Sequence, residues 1–344
     1  MSQTTNNFAE ATDYAGFADP IGDALASMRV SGSLLLREAY SPPWGIAIPD
    51  STELAALLGA EAGTRVVAFH LVEFGHCQIE TSAGVQVLSA GQLAISFGGV
   101  AHTLSLGNAV APRPVAELLS TGAARRPPPE MAPSATTSLL CGVFLLRHTD
   151  FNPLFAALPP LLTTTLGRPG ELHNLSGVAR LLAEEISREA PAGQYIVARL
   201  LEVFCAEAVR AYVVGSPLGE AGWIRGLRDP VVGRAIAWIH ADPGRHWSVA
   251  TLADKSAMSP SRFAARFSTM LGESPMAYVA RWRMNVARDK LARSRQPVDR
   301  IAEEVGYESL AAFNRAFKKI VGAPPARWRA AEARRAARSS DVLQ

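Results

Sequence analysis

Asn314 and Arg315 form an adjacent pair whose chemistry suits hydrogen bonding to the bases of DNA. In the major groove, asparagine pairs with adenine and arginine with guanine, each through two hydrogen bonds worth about 1–3 kcal/mol. Lys318 and Lys319 follow one helical turn later and supply positive charge for phosphates. A phosphate contact or a surface salt bridge is the alternative reading for Arg315.

The segment that contains this pair occurs twice, from Ser248 to Pro275 and from Pro297 to Pro325. The offset between the copies is 49 residues at first and 50 later, so one residue is inserted at a central turn. The matched positions are Val249 with Val298, Leu252 with Ile301, Ala253 with Ala302, Ala257 with Gly306, Ser259 with Ser309, Phe263 with Phe313, Phe267 with Phe317, Gly272 with Gly322 and Pro275 with Pro325. Repeated apolar anchors with different residues between them predict two helix-turn-helix motifs that present different surfaces.

Each copy is expected to pack its phenylalanines inward and to turn small or polar side chains toward DNA. The candidate DNA contacts of the first copy are Ser261, Arg262, Ala264, Ala265, Arg266 and Ser268. Those of the second copy are Leu310, Ala311, Asn314, Arg315, Lys318 and Lys319. Leu310 and Ala311 are either contacts for a thymine methyl group or neutral spacers. Ser259, followed by Pro260, predicts a hydroxyl cap at the start of its helix.

A single helix over residues 276–293 is predicted between the copies, because the stretch lacks internal glycine and proline. Eighteen residues span about 27 Å, and successive major-groove faces lie about 34 Å apart. Such a rod can place both recognition helices on one side of the duplex. Its arginines, at 281, 283, 288 and 293, are expected to face solvent or phosphates.

The net charge of +3 conceals two oppositely charged parts. Residues 223–344 hold 22 Lys and Arg against 11 Asp and Glu, a net charge of +11, whereas residues 1–222 hold 12 against 20, a net charge of −8. A basic end on an acidic body is typical of a nucleic-acid module fused to another domain. A basic solvated surface is the alternative.

The 344 residues exceed the length of one typical domain. Residues 1–18 are expected to be disordered; they lack the features of a secretory signal, and no apolar run approaches the ~18 residues of a membrane helix. Cys77, Cys141 and Cys205 lie far apart, so a disulfide framework and a zinc finger are not expected. A cytoplasmic protein with no membrane partner fits these observations.

Residues 19–160 show short apolar runs between glycines and prolines, which predict the closely spaced strands of a barrel or sandwich. A proline-rich stretch at 111–138 predicts a mobile inserted loop. Residues 161–222 change to helical spacing and predict a helical hairpin as a connector. Its second helix carries a wide apolar stripe that includes Leu201 and Phe204, so packing on a second copy in a homodimer competes with packing on the same chain.

The C-terminal part, residues 223–344, resembles the DNA-binding domain of the AraC family of bacterial transcription regulators. The resemblance rests on the tandem motif, Gly306-Tyr307, Phe313-x-x-x-Phe317-Lys-Lys and Gly322-x-Pro324-Pro325, over about 100 residues. It implies a seven-helix domain that reads two major grooves of double-stranded DNA, with RNA polymerase as a further partner. The first motif departs from the pattern, because alanines at 264 and 265 cannot hydrogen-bond to bases. Specificity then rests on the second motif, or on methyl contacts and DNA shape.

The N-terminal part is similar to the cupin-type sensor domains that are fused to this family. Trp44-Gly45, His70, Gly91-Gln-Leu and Ala101-His102 carry that likeness. Trp44, His70, Phe97 and His102 are the candidate residues for binding a small organic effector, against a barrel filled by its own side chains. His70, His76, Glu73 or Glu80, and His102 are candidates for a metal site, but the sequence lacks a closely spaced histidine pair. Structural or ligand-contacting histidines without metal or cofactor are therefore favoured.

These patterns together predict an α+β multidomain protein with an N-terminal cupin-like β-barrel or sandwich, a helical hairpin connector and a C-terminal all-α tandem helix-turn-helix domain. The predicted function is effector-responsive, sequence-specific regulation of transcription by a dimer, without enzymatic activity. The alternatives are a metal-dependent cupin enzyme with a DNA-binding appendage, and a constitutive DNA binder with a vestigial barrel. A DNA-alkylation repair protein would require a reactive cysteine cluster, which the sequence lacks.

Overall fold

The computed structural model describes residues 19–107, 111–120, 136–167, 174–188, 190–215 and 222–342. The chain divides into two compact units. The barrel unit comprises Arg29–Arg147 and Leu158–Gly215, and the helical unit comprises Met1–Met28, His148–Ala157 and Ser216–Gln344. The expected disorder of residues 1–18 lies outside the described residues. Among the described residues, no helix is both long and apolar enough to cross a membrane.

All strands among the described residues belong to the barrel unit. They are β1 (Arg29–Tyr40), β2 (Trp44–Ile48), β3 (Arg65–Thr81), β4 (Gly84–Ser89), β5 (Gln92–Ile95), β6 (His102–Leu106), β7 (Arg113–Pro114), β8 (Thr137–Arg147) and β9 (Leu162–Thr165). They form one sheet in the order β1-β8-β3-β6-β2-β7, in which β4 pairs with β3, and β5 pairs with both β3 and β9. The sheet curls into a half-barrel, in agreement with the expected cupin-like barrel or sandwich.

The helices, in chain order, are α1 (Pro20–Ser27), α2 (Ser51–Leu57), α3 (Val115–Ser120), α4 (Pro153–Ala157), α5 (Leu175–Arg188), α6 (Gly193–Gly215), α7 (Trp223–Arg228), α8 (Val232–Ala241), α9 (Val249–Lys255), α10 (Pro260–Leu271), α11 (Pro275–Arg293), α12 (Val298–Glu304), α13 (Leu310–Val321) and α14 (Pro325–Val342). The part from α7 to α14 therefore holds eight helices among its described residues, where the family resemblance implies seven.

The long strand β3 connects the two halves of the curled sheet. Its first part pairs with β8 and β5, and its last part pairs with β4 and β6. Gly75 makes the bend possible, because its φ is +74° and a Cβ there would lie 1.7 Å from the carbonyl oxygen of Thr136. The sequence indicated a turn or bulge at Gly75, and the chain passes through it as one continuous, bent strand.

Two expectations for the barrel unit are corrected. The proline-rich stretch 111–138 is not a loop at its ends, because β7 and α3 occupy residues 113–120 and β8 begins at Thr137. Its middle, residues 121–135, lies outside the described residues. The connector 161–222 also starts differently, because Leu162–Thr165 forms β9 and pairs with β5.

The helical hairpin of α5 and α6 packs on the sheet of its own unit. The apolar stripe of α6 covers β1 and β3: a Cβ at Gly32 would lie 2.4 Å from that of Leu201, and the ring of Phe204 meets Phe69 edge-on at 6.0 Å. Arg37 of β1 also donates to the Ser187 hydroxyl of α5 at 2.8 Å. In the sequence, the width of this stripe was an argument for a homodimer. Packing within one chain explains that width.

The helical unit includes two segments from the first half of the chain. Asn152, fully buried, donates from its amide to the Ala24 carbonyl at 2.6 Å and to the Ser27 hydroxyl at 2.9 Å. Its side-chain oxygen accepts from the amides of Leu154 and Phe155, which begin α4. These bonds fix α1 and α4 to each other within the unit, whereas the sequence placed the whole DNA-binding domain in residues 223–344.

Candidate nucleic-acid interface

The first helix-turn-helix motif consists of α9 and α10. Ala257 turns the chain between them with a left-handed φ of +53°. Phe263 and Phe267 of α10 are fully buried, as the sequence predicted. Three of the six candidate contacts, Ser261, Arg262 and Ala265, are exposed, and the other three, Ala264, Arg266 and Ser268, are half-buried.

Two details of the first motif differ from the expectation. The Ser259 side chain makes no cap hydrogen bond to α10, although Pro260 does begin that helix. Arg266 donates from Nη2 to Asp229 Oδ2 at 2.7 Å and from Nε to both carboxylate oxygens of that residue. Burial raises the pKa of Asp229, but bonds from Arg266 and from the amides of Val232 and Val231 outweigh it and leave the pKa below its ordinary value. Arg266 therefore holds α10 against the start of α8 and is less available to phosphates than predicted.

The second motif consists of α12 and α13. The Ser309 hydroxyl accepts from the Ala312 amide at 3.2 Å and caps α13. Phe313 and Phe317 are fully buried. All six predicted contacts on the opposite side are exposed: Leu310, Ala311, Asn314, Arg315, Lys318 and Lys319. The structure thus brings the whole predicted set of the second motif onto one accessible helix face.

The cationic side chains of the two recognition helices differ in whether they form ion pairs within the protein. Arg262, Arg315, Lys318 and Lys319 form no ion pair with any residue that the structure describes. Because charges without a nearby partner keep their full electrostatic attraction for an anion, these four side chains are available to phosphates.

The rod between the motifs is α11, and the predicted single helix is confirmed with one additional residue at its start. Its 19 residues correspond to about 28 Å. The expectation that its arginines face solvent or phosphates is wrong for Arg288, whereas Arg293 is exposed and the other two are half-buried. Arg288 is 5% exposed and stacks over Phe151, Arg281 pairs with Glu273, and Arg293 pairs with Asp289.

Arg283 of α11 links the two motifs through three backbone carbonyls. Its Nε donates to Pro243 at 2.8 Å and its Nη2 to Arg245 at 2.8 Å, both in the segment that precedes α9. Its Nη1 donates to Gly306 at 3.1 Å, in the turn of the second motif. Sequence analysis missed this positioning role, because an arginine in a basic helix carries no signal of a backbone partner.

The barrel interior holds two of the predicted ligand-binding residues in direct contact. His70 of β3 and His102 of β6 approach at 2.7 Å between their Nε2 atoms. His102 Nδ1 lies 2.8 Å from the Val100 carbonyl, so Nδ1 carries the proton and His70 Nε2 donates to His102 Nε2. Burial lowers the pKa of both histidines, which keeps the pair neutral.

The other candidate residues occupy different places. Trp44 lies in the apolar core of the barrel, where its ring stacks on Tyr40 at 4.8 Å, and Phe97 is buried directly after β5. His70 Nδ1 and Trp44 Nε1 are buried without a hydrogen-bond partner among the residues that the structure describes.

The candidate metal ligands do not converge on one point. His76 and Glu80 are exposed, and Glu73 forms an ion pair with Arg37 at 2.9 Å. In the part of the chain that the structure describes, no three histidine, cysteine or acidic side chains are grouped for a metal. Only His70 and His102 come together.

Comparison with known proteins agrees with both units. A cupin family profile matches residues 19–214, more than half of the chain, and a helix-turn-helix domain profile matches residues 252–331. A protein of Streptomyces lividans named as an AraC-like transcription regulator is 32% identical over 191 residues. The chain belongs to the cupin family, and it is similar to AraC-like transcription regulators.

The matches to two relatives are of similar extent. The Streptomyces lividans match covers 56% of this chain and 62% of that relative. The transcriptional regulator AlkR of Acinetobacter baylyi is 32% identical over 193 residues, which cover 54% of this chain and 62% of AlkR. The matched regions thus span less than two thirds of either relative.

One solved structure is similar in sequence to the carboxy-terminal part of this chain. It is the DNA-binding domain of the global transcriptional factor AdpA in complex with a target DNA. It is 31% identical, covers 31% of this chain and 96% of that domain, and has a TM-score of 0.30.

Proposed function

We propose that this protein is a sequence-specific, DNA-binding transcription regulator. The observation that carries the proposal is the division of α13 into two sides: Phe313 and Phe317 are fully buried, while the polar and cationic side chains opposite them are exposed. A recognition helix requires this division, because packing anchors must hold it while hydrogen-bonding groups face the base edges. Asn314 and Arg315 would read bases, and Lys318 and Lys319 would contact phosphates. Binding to DNA would place the protein in the cytoplasm. That reducing compartment suits the free thiols of Cys77, Cys141 and Cys205.

Selection of binding sites from random duplexes by the full chain tests this proposal. We expect Asn314→Ala and Arg315→Ala each to relax the preference at one position of the selected site, at a cost of about 1–3 kcal/mol. The control is Arg300→Ala, since Arg300 is exposed and already paired with Glu303 at 3.0 Å. Uniform weakening on all duplexes would make the two residues phosphate contacts. Failure to select any site would reject the proposal.

We further propose that the cupin domain binds a small, uncharged organic effector. Burial raises the pKa of the Cys77 thiol to about 12 and raises those of Tyr40 and Cys141, while His70 and His102 stay neutral. An interior of neutral groups does not compensate a buried ligand charge. The unpartnered His70 Nδ1 can accept a hydrogen bond from a ligand, and Trp44 Nε1 can donate one.

Pairs of compounds with one carbon skeleton test the effector class, for example benzyl alcohol and benzoate. We expect the uncharged member to raise the thermal unfolding temperature of the full chain and the carboxylate to have no effect. Trp44→Ala should abolish the shift and leave DNA affinity unchanged. A stronger response to the carboxylate would refute an uncharged effector.

A homodimer is proposed through the outer side of α5 and α6. Leu181, Tyr195, Ile196 and Val203 are 48%, 68%, 39% and 48% exposed there, although large apolar side chains are normally buried. We expect Val203→Glu to convert a dimer into a monomer in sedimentation velocity. The matched control is Val87→Glu on β4, where valine is 57% exposed. A dimer that survives Val203→Glu and Leu181→Glu would exclude this surface.

The remaining partners and the enzyme alternative are also testable. The names of the relatives as transcription regulators support contact with RNA polymerase, and we propose no catalytic activity. Metal analysis of the purified protein addresses the metal-dependent enzyme. Stoichiometric iron, manganese or nickel, lost in His70→Ala, would favour that alternative over a sensor.

A further inference from the structure

A groove of about 390 Å³ runs beside the second recognition helix. Its lining residues are Val298, Leu310, Asn314, Arg315, Lys318, Pro324, Pro325 and Ala326. They come from the starts of α12, α13 and α14 and from one side of α13. The walls of this methyl groove, as we name it, are almost entirely apolar.

Leu310 is a large apolar side chain of this wall that is exposed. It is the first residue of α13 and is 43% exposed. Asn314 and Lys318 follow it at intervals of four residues, so the three side chains form one stripe along the helix. A large apolar side chain is thus kept accessible in the same row as the side chains that are proposed to contact DNA.

Charge at the edge of the methyl groove indicates what kind of partner it fits. Arg315 and Lys318 line the groove and are exposed, and neither has an ion-pair partner among the described residues. An occupant must therefore be strongly anionic and also present an apolar group at close range. In the major groove of DNA, the 5-methyl group of thymine is the apolar group that base edges display.

The first motif lacks this combination at the matching positions. Pro260, Ala264 and Ser268 stand where Leu310, Asn314 and Lys318 stand in the second motif. None of the three is cationic, and none has a long apolar side chain. The methyl groove is therefore a property of the second motif and not of the repeated scaffold.

We propose that Leu310 reads the 5-methyl group of a thymine in the half of the operator bound by the second motif. The proposal rests on the proposed function, because it names one base that this surface selects. Val298 and Pro325 would complete the apolar contact, and Arg315 and Lys318 would hold the adjoining phosphate backbone or neighbouring base.

Replacing thymine by deoxyuridine tests the proposal, because it removes the methyl group and keeps every hydrogen-bonding atom of the base. With the full chain and a selected operator, each thymine of the second half is substituted in turn. We expect one substitution to weaken binding about fourfold, the factor that corresponds to burial of one methyl group. In Leu310→Ala, thymine and deoxyuridine should bind equally at that position. In Lys318→Ala, binding should weaken on both and the fourfold ratio should persist.

The outcomes separate this inference from the proposed function. If no operator can be selected, the proposed function itself fails. If an operator is found but no deoxyuridine substitution changes affinity, thymine reading is refuted and the methyl groove is left for an apolar side chain of a protein partner. A fourfold effect that persists in Leu310→Ala assigns the methyl contact to another residue. Because Leu310 is half-exposed, the variant should keep the thermal unfolding temperature of the native chain, which is measured alongside.

Discussion

Ala257 and Gly306 occupy the same place in the two turns but tolerate different side chains. Both have left-handed φ values, +53° and +84°. A Cβ at Gly306 would lie 2.5 Å from the Gly244 carbonyl oxygen and 2.5 Å from Arg283 Nη2. The second turn therefore requires glycine for space as well as for conformation.

We expect Gly306→Ala to lower the free energy of unfolding by about 1–3 kcal/mol, because backbone strain and a contact with a carbonyl add up. Ala257→Gly is the matched substitution. There, relief of the left-handed strain and the greater entropy of an unfolded glycine oppose each other, so a change within about 1 kcal/mol is expected. Urea unfolding of the full chain measures both. Equal losses would show that space at Gly306 is unimportant.

His240 makes the stability of the helical unit depend on pH. Its ring stacks on Trp282 at 3.6 Å, its Nε2 lies 2.8 Å from the Tyr278 hydroxyl, and its Nδ1 lies 3.6 Å from Asp23. Burial lowers the pKa of His240 below its ordinary 6.5, and Asp23 offsets only part of that effect, while Arg281 lowers it further. The folded state therefore holds the neutral ring.

Since the unfolded chain takes up this proton near pH 6.5 and the folded chain does not, the free energy of unfolding should fall as pH decreases from 7.5 to 5.5. One proton contributes at most about 1.4 kcal/mol per pH unit. His240→Phe keeps an aromatic ring against Trp282 and should show a shallower slope in urea unfolding followed by tryptophan fluorescence. An unchanged slope would mean that His240 is not the titrating group.

At the scale of elements, Arg283 connects the segment before the first motif with the turn of the second. Hydrogen bonds from a charged donor contribute more than neutral ones, and the guanidinium of Arg283 donates three of them to backbone carbonyls. The rod therefore does more than separate the motifs, because Arg283 also joins the segment before the first motif to the turn of the second.

We expect Arg283→Ala to lower the free energy of unfolding by about 2–4 kcal/mol and to weaken binding to a selected operator. The salt dependence of binding should stay the same, since Arg283 faces carbonyls and not phosphates. Arg295→Ala, at an exposed position just after α11, is the control and should be nearly neutral in stability. A reduced salt dependence in Arg283→Ala would instead assign this residue a phosphate contact.

At the scale of the whole molecule, the net charges of +11 and −8 on the two parts of the chain make DNA affinity strongly dependent on salt. In a plot of the logarithm of affinity against the logarithm of salt concentration, each phosphate contact contributes about 0.9 to the magnitude of the slope. We expect Lys318→Ala to reduce the slope by about 0.9. Lys290→Ala should not change it, because Lys290 is paired with Glu304 at 2.5 Å. Equal effects of both lysines would show that only total charge matters.

The repeat itself was readable from sequence, because packing within a helix-turn-helix unit is local and each buried anchor leaves an apolar residue at fixed spacing. Phe263, Phe267, Phe313 and Phe317 are all fully buried as expected. Hydrogen bonds of side chains were less predictable from sequence, since they depend on which groups lie nearby in the folded chain. Ser259 lacks the expected cap, while Ser309 has one.

The sequence by itself determined the two folds, the family and the face that the second recognition helix presents, because periodic burial and turn chemistry are written in consecutive residues. Only the tertiary structure decided which cationic side chains are bound by other groups of the protein. It also decided which apolar helix faces pack against other elements. Arg266 and Arg283 are bound within the protein, and the stripe of α6 packs on its own sheet. Contacts between residues distant in the chain fix these outcomes, and no spacing along the sequence encodes them.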